Sequence, residues 1–169
     1  MTSKSYRLFL DLDGVLANFD QGVHQITGSY PHQLSVSQMW KAITKANGFF
    51  EHLSWMPQSE NLWKATKMHQ PTILTGLPRG NWAEPQKRAW CARELGAEVP
   101  VITCMARDKI KWACDVSDPG ETPVIIDDRP KHKALWEDKG GIFIIHRSVS
   151  ESLKELRRLG FKIDNKYLE

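Results

Sequence analysis

The sequence predicts an α/β fold, a Rossmann-like, doubly wound and mainly parallel sheet, with a small helical cap inserted after the first strand. Three observations carry that expectation. Short apolar runs of strand length recur along the chain, separated by segments of helical length. Several of these runs end in a carboxylate or in a hydroxyl followed by glycine, which places chemistry at strand ends. The 169 residues, 41% hydrophobic and 25% charged, suit one globular domain with a modest insertion.

The first strand, residues 6–12, carries Leu8-Phe9-Leu10 into Asp11, Leu12 and Asp13, with Gly14 next. Residues i and i+2 of an extended chain share a face, so both acids reach one site where the strand stops. Gly14 permits a tight turn there. Residues 20–70 lack β-branched runs. Val23, Ile26, Met39, Trp40 and Ile43 fall at irregular helical spacing, and Gly28, Pro31 and Asn47-Gly48 divide the stretch into short helices. This is the expected cap, with Phe49-Phe50 and Trp55 near its return; residues 1–19 and 71–169 form the expected core.

Residues 71–76 give a second strand ending in Thr75-Gly76. A helix over 81–95 has Asn81 as a candidate cap, Pro85 in its first turn and Gly96 as its stop. A third strand covers 99–103, and a short helix over 107–113 carries Lys109. The fourth strand, 123–128, ends in Asp127-Asp128. A helix over 130–138 leaves through Gly140-Gly141 into a fifth strand at 142–146. Gly160 closes a last helix over 150–159, and the polar tail 161–169 is expected to be poorly ordered.

Composition narrows the function classes. A net charge of +3 is compatible with an anionic substrate and too small for a nucleic-acid footprint, so no stable nucleic-acid complex is expected. The basic residues of the last helix, Lys154, Arg157 and Arg158, read as a solvated face. Cys91, Cys104 and Cys114 form no C-x-x-C pair, and the histidines show no zinc spacing. The sequence has no secretory signal pattern and no apolar run near 18 residues, which points to a reducing, cytoplasmic setting without a membrane. A P-loop is absent.

In a doubly wound sheet, ligands bind outside the carboxyl ends of the strands. That rule gathers Asp11, Asp13, Thr75, Lys109, Asp127 and Asp128 at one edge, though each alone is ordinary. An EF-hand loop is excluded for Asp11 to Gly14, because its glycine stands sixth and this one is fourth. Paired carboxylates at a strand mouth suit a hard cation, and one of them can attack an electrophile.

These residues resemble the motifs of the haloacid dehalogenase-like (HAD) phosphatase superfamily, whose first motif is D-x-D-G-[VT]. Asp11 to Val15 matches it, Thr75 the second motif, Lys109 the third and Asp127-Asp128 the acidic fourth. A narrower likeness is to the 5'(3')-deoxyribonucleotidases. Asp13-Gly14-Val15-Leu16-Ala17-Asn18-Phe19 is similar to their D-G-V-L-A-D-F, and Gly48-Phe49-Phe50-Glu51-His52-Leu53 to their G-F-F-x-x-L. Ala106-Arg107-Asp108-Lys109 is similar to T-R-D-K, and Ile126-Asp127-Asp128 to I-D-D. The chain departs from that family at Gly76, where the nucleotidases have serine, and its insertion is shorter.

The resemblance implies an Mg²⁺-dependent phosphomonoesterase acting through an aspartyl-phosphate, with a nucleoside monophosphate as substrate. Asp11 would be the nucleophile and Asp13 the acid and base. The metal would lie on Asp11, the main-chain carbonyl of Asp13, and Asp128 or Asp127, the likeness favouring Asp128. Thr75, Gly76, Lys109 and Arg107 would hold the phosphate, and Phe19 and Phe50 would flank the base. A HAD phosphatase of another small ester or of nucleic-acid ends is the alternative within the class. A non-catalytic phospho-ligand-binding module is the alternative outside it, disfavoured because the motif acids and the lysine are all intact. Oligomeric state is left open.

Overall fold

The run Leu8-Phe9-Leu10 is buried on both sides, as a central strand of a two-faced sheet must be. In a computed structural model, which describes residues 4–168, it lies in β1 (Ser5–Leu10). The other strands are β2 (Thr72–Gly76), β3 (Val101–Cys104), β4 (Glu121–Asp127) and β5 (Ile142–Ile145). They form one sheet in the order β3-β2-β1-β4-β5, and every pair is parallel. Alternate residues serve opposite cores. Leu8, Leu10, Val124 and Ile126 join the larger cluster, while Phe9, Leu74, Ile125 and Phe143 join the smaller.

This order fixes where a site can form. From β1 the chain builds outward through β2 and β3, then returns to add β4 and β5 on the other side. The loops leaving β1 and β4 therefore diverge, and a crevice opens between them. The ladder runs one residue past β1, with the Asp11 N–H donating to the Ile126 carbonyl at 3.0 Å. Asp11 is thereby held beside the end of β4.

Among the described residues six helices connect the strands, α1 (Phe19–Thr27), α2 (Val36–Lys45), α3 (Ser59–Thr66), α4 (Ala83–Glu94), α5 (Lys109–Val116) and α6 (Lys133–Asp138), and α7 (Val149–Leu159) follows β5. The Asn18 side chain caps α1 by accepting from the Gln21 N–H at 3.1 Å, and Gly28 ends it at φ +76°. Ser35 and Gln38 form a capping box on α2, which packs against α1.

Three details differ from the sequence reading. The stretch 20–70 is not all cap: α3 packs against α7 and buries Leu62 and Ala65 in the main core, so it is the crossover helix into β2. The break before it falls on Gln58 at φ +64°, a residue type that does not announce a turn. Asn81 does not cap α4, which begins at Ala83 with no side-chain cap bond. The tail, as far as Leu168, is packed. Phe161 stacks on Tyr6 with ring centroids 5.6 Å apart, and Ile163 is buried in the core, because the polar stretch carries enough apolar side chains to pack there.

Helix α4 holds the returning segment of the cap. Gln86 accepts from the Phe50 N–H at 3.0 Å, and Arg93 donates to the Glu51 carbonyl at 2.7 Å. The indole N–H of Trp90 donates to the Leu53 carbonyl and that of Trp55 to Glu94, both at 2.8 Å. Trp90 is fully buried. Trp90→Phe is expected to lower unfolding stability by about 1–3 kcal/mol through the unpaired Leu53 carbonyl. Trp90→Ala should lower it by about 3–5 kcal/mol; denaturant unfolding of both variants checks the order.

Candidate active site

Asp11 follows β1, Asp127 closes β4, and Lys109 opens α5 beyond β3. All three side chains are buried. The Lys109 ammonium donates to Asp11 Oδ1 and to Asp127 Oδ2, each at 2.8 Å. Burial opposes the charge of Lys109, but the two carboxylates outweigh it and hold the ammonium above the ordinary lysine range. Asp127 is also engaged at Oδ1, which accepts from the Arg129 N–H at 2.9 Å. Burial and the Asp11 charge push its carboxyl upward against the pull of Lys109.

Asp128 is different. Its Oδ1 is buried without a partner, and burial, Asp11 and Asp127 together push its carboxyl up to about 7. Ligand oxygens of Asp11, Asp127 and Asp128 all lie within 4.8 Å of one another. Gly14, at φ +79°, makes this possible, since a Cβ there would collide with the Asp128 carboxylate. Clustered carboxylate oxygens, one of them unpartnered, fit a hard divalent cation such as Mg²⁺.

Asp13 stands apart from that trio. Its Oδ2 accepts from the ammonium of Lys87 at 2.5 Å, while its Oδ1 is buried with no partner. Lys87, on α4, is the functional-site residue that motif reading missed. The signal lay in the helix pattern: Ala83, Lys87, Trp90 and Cys91 share the buried stripe, so a lysine occupies a core position. Thr75, completely buried, accepts from Lys87 at 3.1 Å, and the Gly76 carbonyl accepts at 2.7 Å. A side chain at Gly76 would place its Cβ 3.3 Å from that of Ala106, a close contact.

A cavity of about 250 Å³ opens over these groups, lined by Asp11, Asp13, Gly76, Lys87, Lys109 and Asp127 at its floor. Phe19, Trp40 and Phe50 form its cap-side wall, and Arg129, Lys131 and His132 line it as well. Neither Arg129 nor Lys131 has an ion-pair partner among the described residues. His132 is held below the ordinary histidine range by burial and by the charges of Lys131 and Lys109.

Two expectations are corrected by this geometry. Phe19 and Phe50 do not flank a gap. Their centroids are 6.2 Å apart at 30°, whereas a base between two rings needs about 7 Å, two contacts of about 3.5 Å each. Both rings are nearly buried, locked in T-shaped contact with Phe49, and Lys87 lies over Phe50 at 4.6 Å. Phe19 and Phe50 line the cavity together with Trp40, which is the half-buried one of the three. Arg107 lies outside the cavity: it sits in an exposed turn (Ala106–Asp108) with Asp108 as its nearest acid, at 4.0 Å, and Ala106 lines the cavity in its place.

The fold is that of the HAD-like hydrolases. A haloacid dehalogenase-like hydrolase of Burkholderia xenovorans LB400 superposes with a TM-score of 0.54 at 12% identity, covering 94% of this chain and 90% of that one. A hydrolase of Streptococcus pneumoniae TIGR4 gives a TM-score of 0.54 at 11% identity, covering 94% of this chain and all of that one. At such identity the likeness is one of fold. No protein-family model matches the sequence, and no curated protein does. No helix among the described residues is long and apolar enough to cross a membrane.

The Asp128 carboxyl gives a stability prediction for the metal-free protein. Its pKa of about 7 in the fold stands above the ordinary 3.8, so its contribution to stability is fully present below pH 3.8 and is lost as the pH rises to 7. Asp128→Asn should therefore leave thermal stability unchanged near pH 3.8 and raise it at pH 8 in the presence of a chelator. Discounted for partial exposure, the gain at pH 8 is on the order of 1–2 kcal/mol; thermal melts at the two pH values measure it.

Proposed function

We propose that this chain is a phosphomonoesterase that forms an aspartyl-phosphate on Asp11, with nucleoside monophosphates as its substrates. The observation that carries the reading is a buried aspartate at the carboxyl end of β1 that lines a cavity, is bonded to a buried lysine and is clustered with Asp127 and Asp128. The HAD-like fold supports the same chemistry, and the motif resemblance supplies the nucleotide.

A phosphomonoester is an anion, and a carboxylate must approach it against like charge. Mg²⁺ held by Asp11 and Asp128, with the main-chain carbonyl of Asp13, would supply the neutralisation. Among the described residues no hydrogen bond reaches Asp11 Oδ2, because Lys109 occupies Oδ1 alone. Asp11 forms the new bond to phosphorus as the bond to the leaving oxygen breaks, and Asp13 gives that oxygen its proton. Water then attacks the phosphorus of the aspartyl-phosphate, Asp13 takes the water's proton, and Asp11 is released as a carboxylate with free phosphate. Lys109 offsets the charge on the transferring oxygens throughout. Asp127, engaged by Lys109 and by Arg129, orients the lysine.

A second reading, an ester with a further phosphate such as a phosphorylated nucleic-acid end, is favoured by Arg129 and Lys131. These cations line the cavity without partners among the described residues, and an added phosphate would give them one.

Phosphate release with Mg²⁺ over 5'- and 3'-(deoxy)nucleotides, sugar phosphates, bisphosphates and phosphorylated DNA ends tests both readings. Asp11→Asn should abolish turnover on every substrate; retained activity would remove the aspartyl-phosphate. Trp40→Ala should raise KM for nucleotides several-fold more than for a small generic phosphate ester, and equal effects on both would end the base-recognition role.

A further inference from the structure

We propose that the flank of α5 carrying Trp112 and Val116 is the contact surface between two copies of this chain, packed about a two-fold axis. A parallel sheet needs cover on both faces. On the side of the larger core α3, α4, α7 and the segment after α7 supply it. On the other side, among the described residues, α5 and α6 alone do, eight and six residues long. Helix α6 meets β5, and α5 meets β2 and β4. The edge strand β3 is met by α4, whose buried residues belong to the larger core. On the smaller-core side of β3, Ile102 stays half-buried.

Successive helical residues are set about 100° apart, so Ile110 and Trp112 stand on opposite flanks of α5. Ile110 reaches toward α6, since a Cβ at Gly141 would lie 3.1 Å from its Cδ1 and 3.0 Å from the Trp136 ring. Trp112 therefore faces the other way, toward β3, and Val116, one turn on, shares its flank. Trp112 is 45% exposed, Val116 40%, and Met105, directly after β3, 47%. Exposed tryptophan and methionine beside an uncovered edge of the sheet have the composition of a protein contact.

The charges beside this flank select a second copy as the occupant. Lys111 and Asp115 border the apolar pair, one turn apart, and both are exposed. Neither has an ion-pair partner among the described residues, although opposite charges at i and i+4 can reach one another. Antiparallel packing of two α5 helices brings Lys111 of each copy to the level of Asp115 of the other. The two-fold axis thus satisfies all four charges at once. Strand pairing at the edge is a poorer route: β3 has four residues, and Arg88 already donates to the Val101 carbonyl at 3.0 Å. The inference rests on the fold and stands apart from the phosphatase reading.

Sedimentation equilibrium measures the mass directly, in a reductant so that the exposed Cys114 forms no disulfide between copies. As the concentration rises to about 0.5 mM, the mass should climb from that of one chain toward that of two. Trp112→Ser should weaken association by about 30-fold or more. Lys111→Asp sets acid against acid and should weaken it about 10-fold, and combining it with Asp115→Lys should restore it. The charge variants lie on the solvent side of α5 and decide the question if Trp112→Ser does not fold. A wild-type chain that stays monomeric over the whole range would overturn the inference. So would a dimer indifferent to Trp112→Ser, or a charge exchange that fails to restore what Lys111→Asp removes.

Discussion

Lys109 places one ammonium between two buried carboxylates, at 2.8 Å from each. Taking ions out of water costs several kcal/mol apiece, and removing one partner of a buried pair is worse than never having had the pair. Asp11 and Asp127 can stand on neighbouring strands only because α5 returns a cation to them. The third acid, Asp128, receives no such help, and its raised pKa is the measure of that deficit. Three carboxylates against one ammonium leave the site two positive charges short, the condition a divalent cation relieves. The sheet order produces this condition, since only neighbouring β1 and β4 bring the acids so close.

Helix α4 is the second organising element. Its buried stripe carries Lys87 and Trp90, while Gln86, Arg93 and Glu94 hold the backbone or side chains of the returning cap segment. Phe50 touches both systems, its N–H bonded to Gln86 and its ring under Lys87. The cap has no hydrophobic core of its own; Phe19, Val23, Ile43 and Phe50 belong to the same cluster as the sheet. Asp13 and the wall of the cavity are thus both fastened to α4.

The sheet was legible in the sequence because apolar runs ending in acids leave a local signature, and the strand-end rule assembles them without knowledge of contacts. Asp11, Asp13, Lys109, Asp127 and Asp128 were found this way. Lys87 was hidden because a lysine in a polar helix reads as solvated, and only the tertiary partners Asp13 and Thr75 make it buried. The cap boundary was blurred because Gln58 takes a left-handed conformation that its residue type does not advertise. The arrangement of Phe19 and Phe50 depends on ring geometry across the cap–core junction, which spacing cannot encode. Arg107 was placed by motif adjacency, yet a turn of 3-10 helix directs the residue after Ala106 to solvent.

The stacking of Phe161 on Tyr6 brings the segment after α7 to the start of β1, at the edge of the sheet farthest from the acids. The six residues of β1 span about 20 Å at 3.3 Å per residue. A fluorophore, a surface tether or a fused domain attached near the start of the described chain therefore stands about a strand length from the cavity, whereas Leu168, whose carbonyl accepts from the Ser150 hydroxyl at 3.3 Å, has returned to the start of α7.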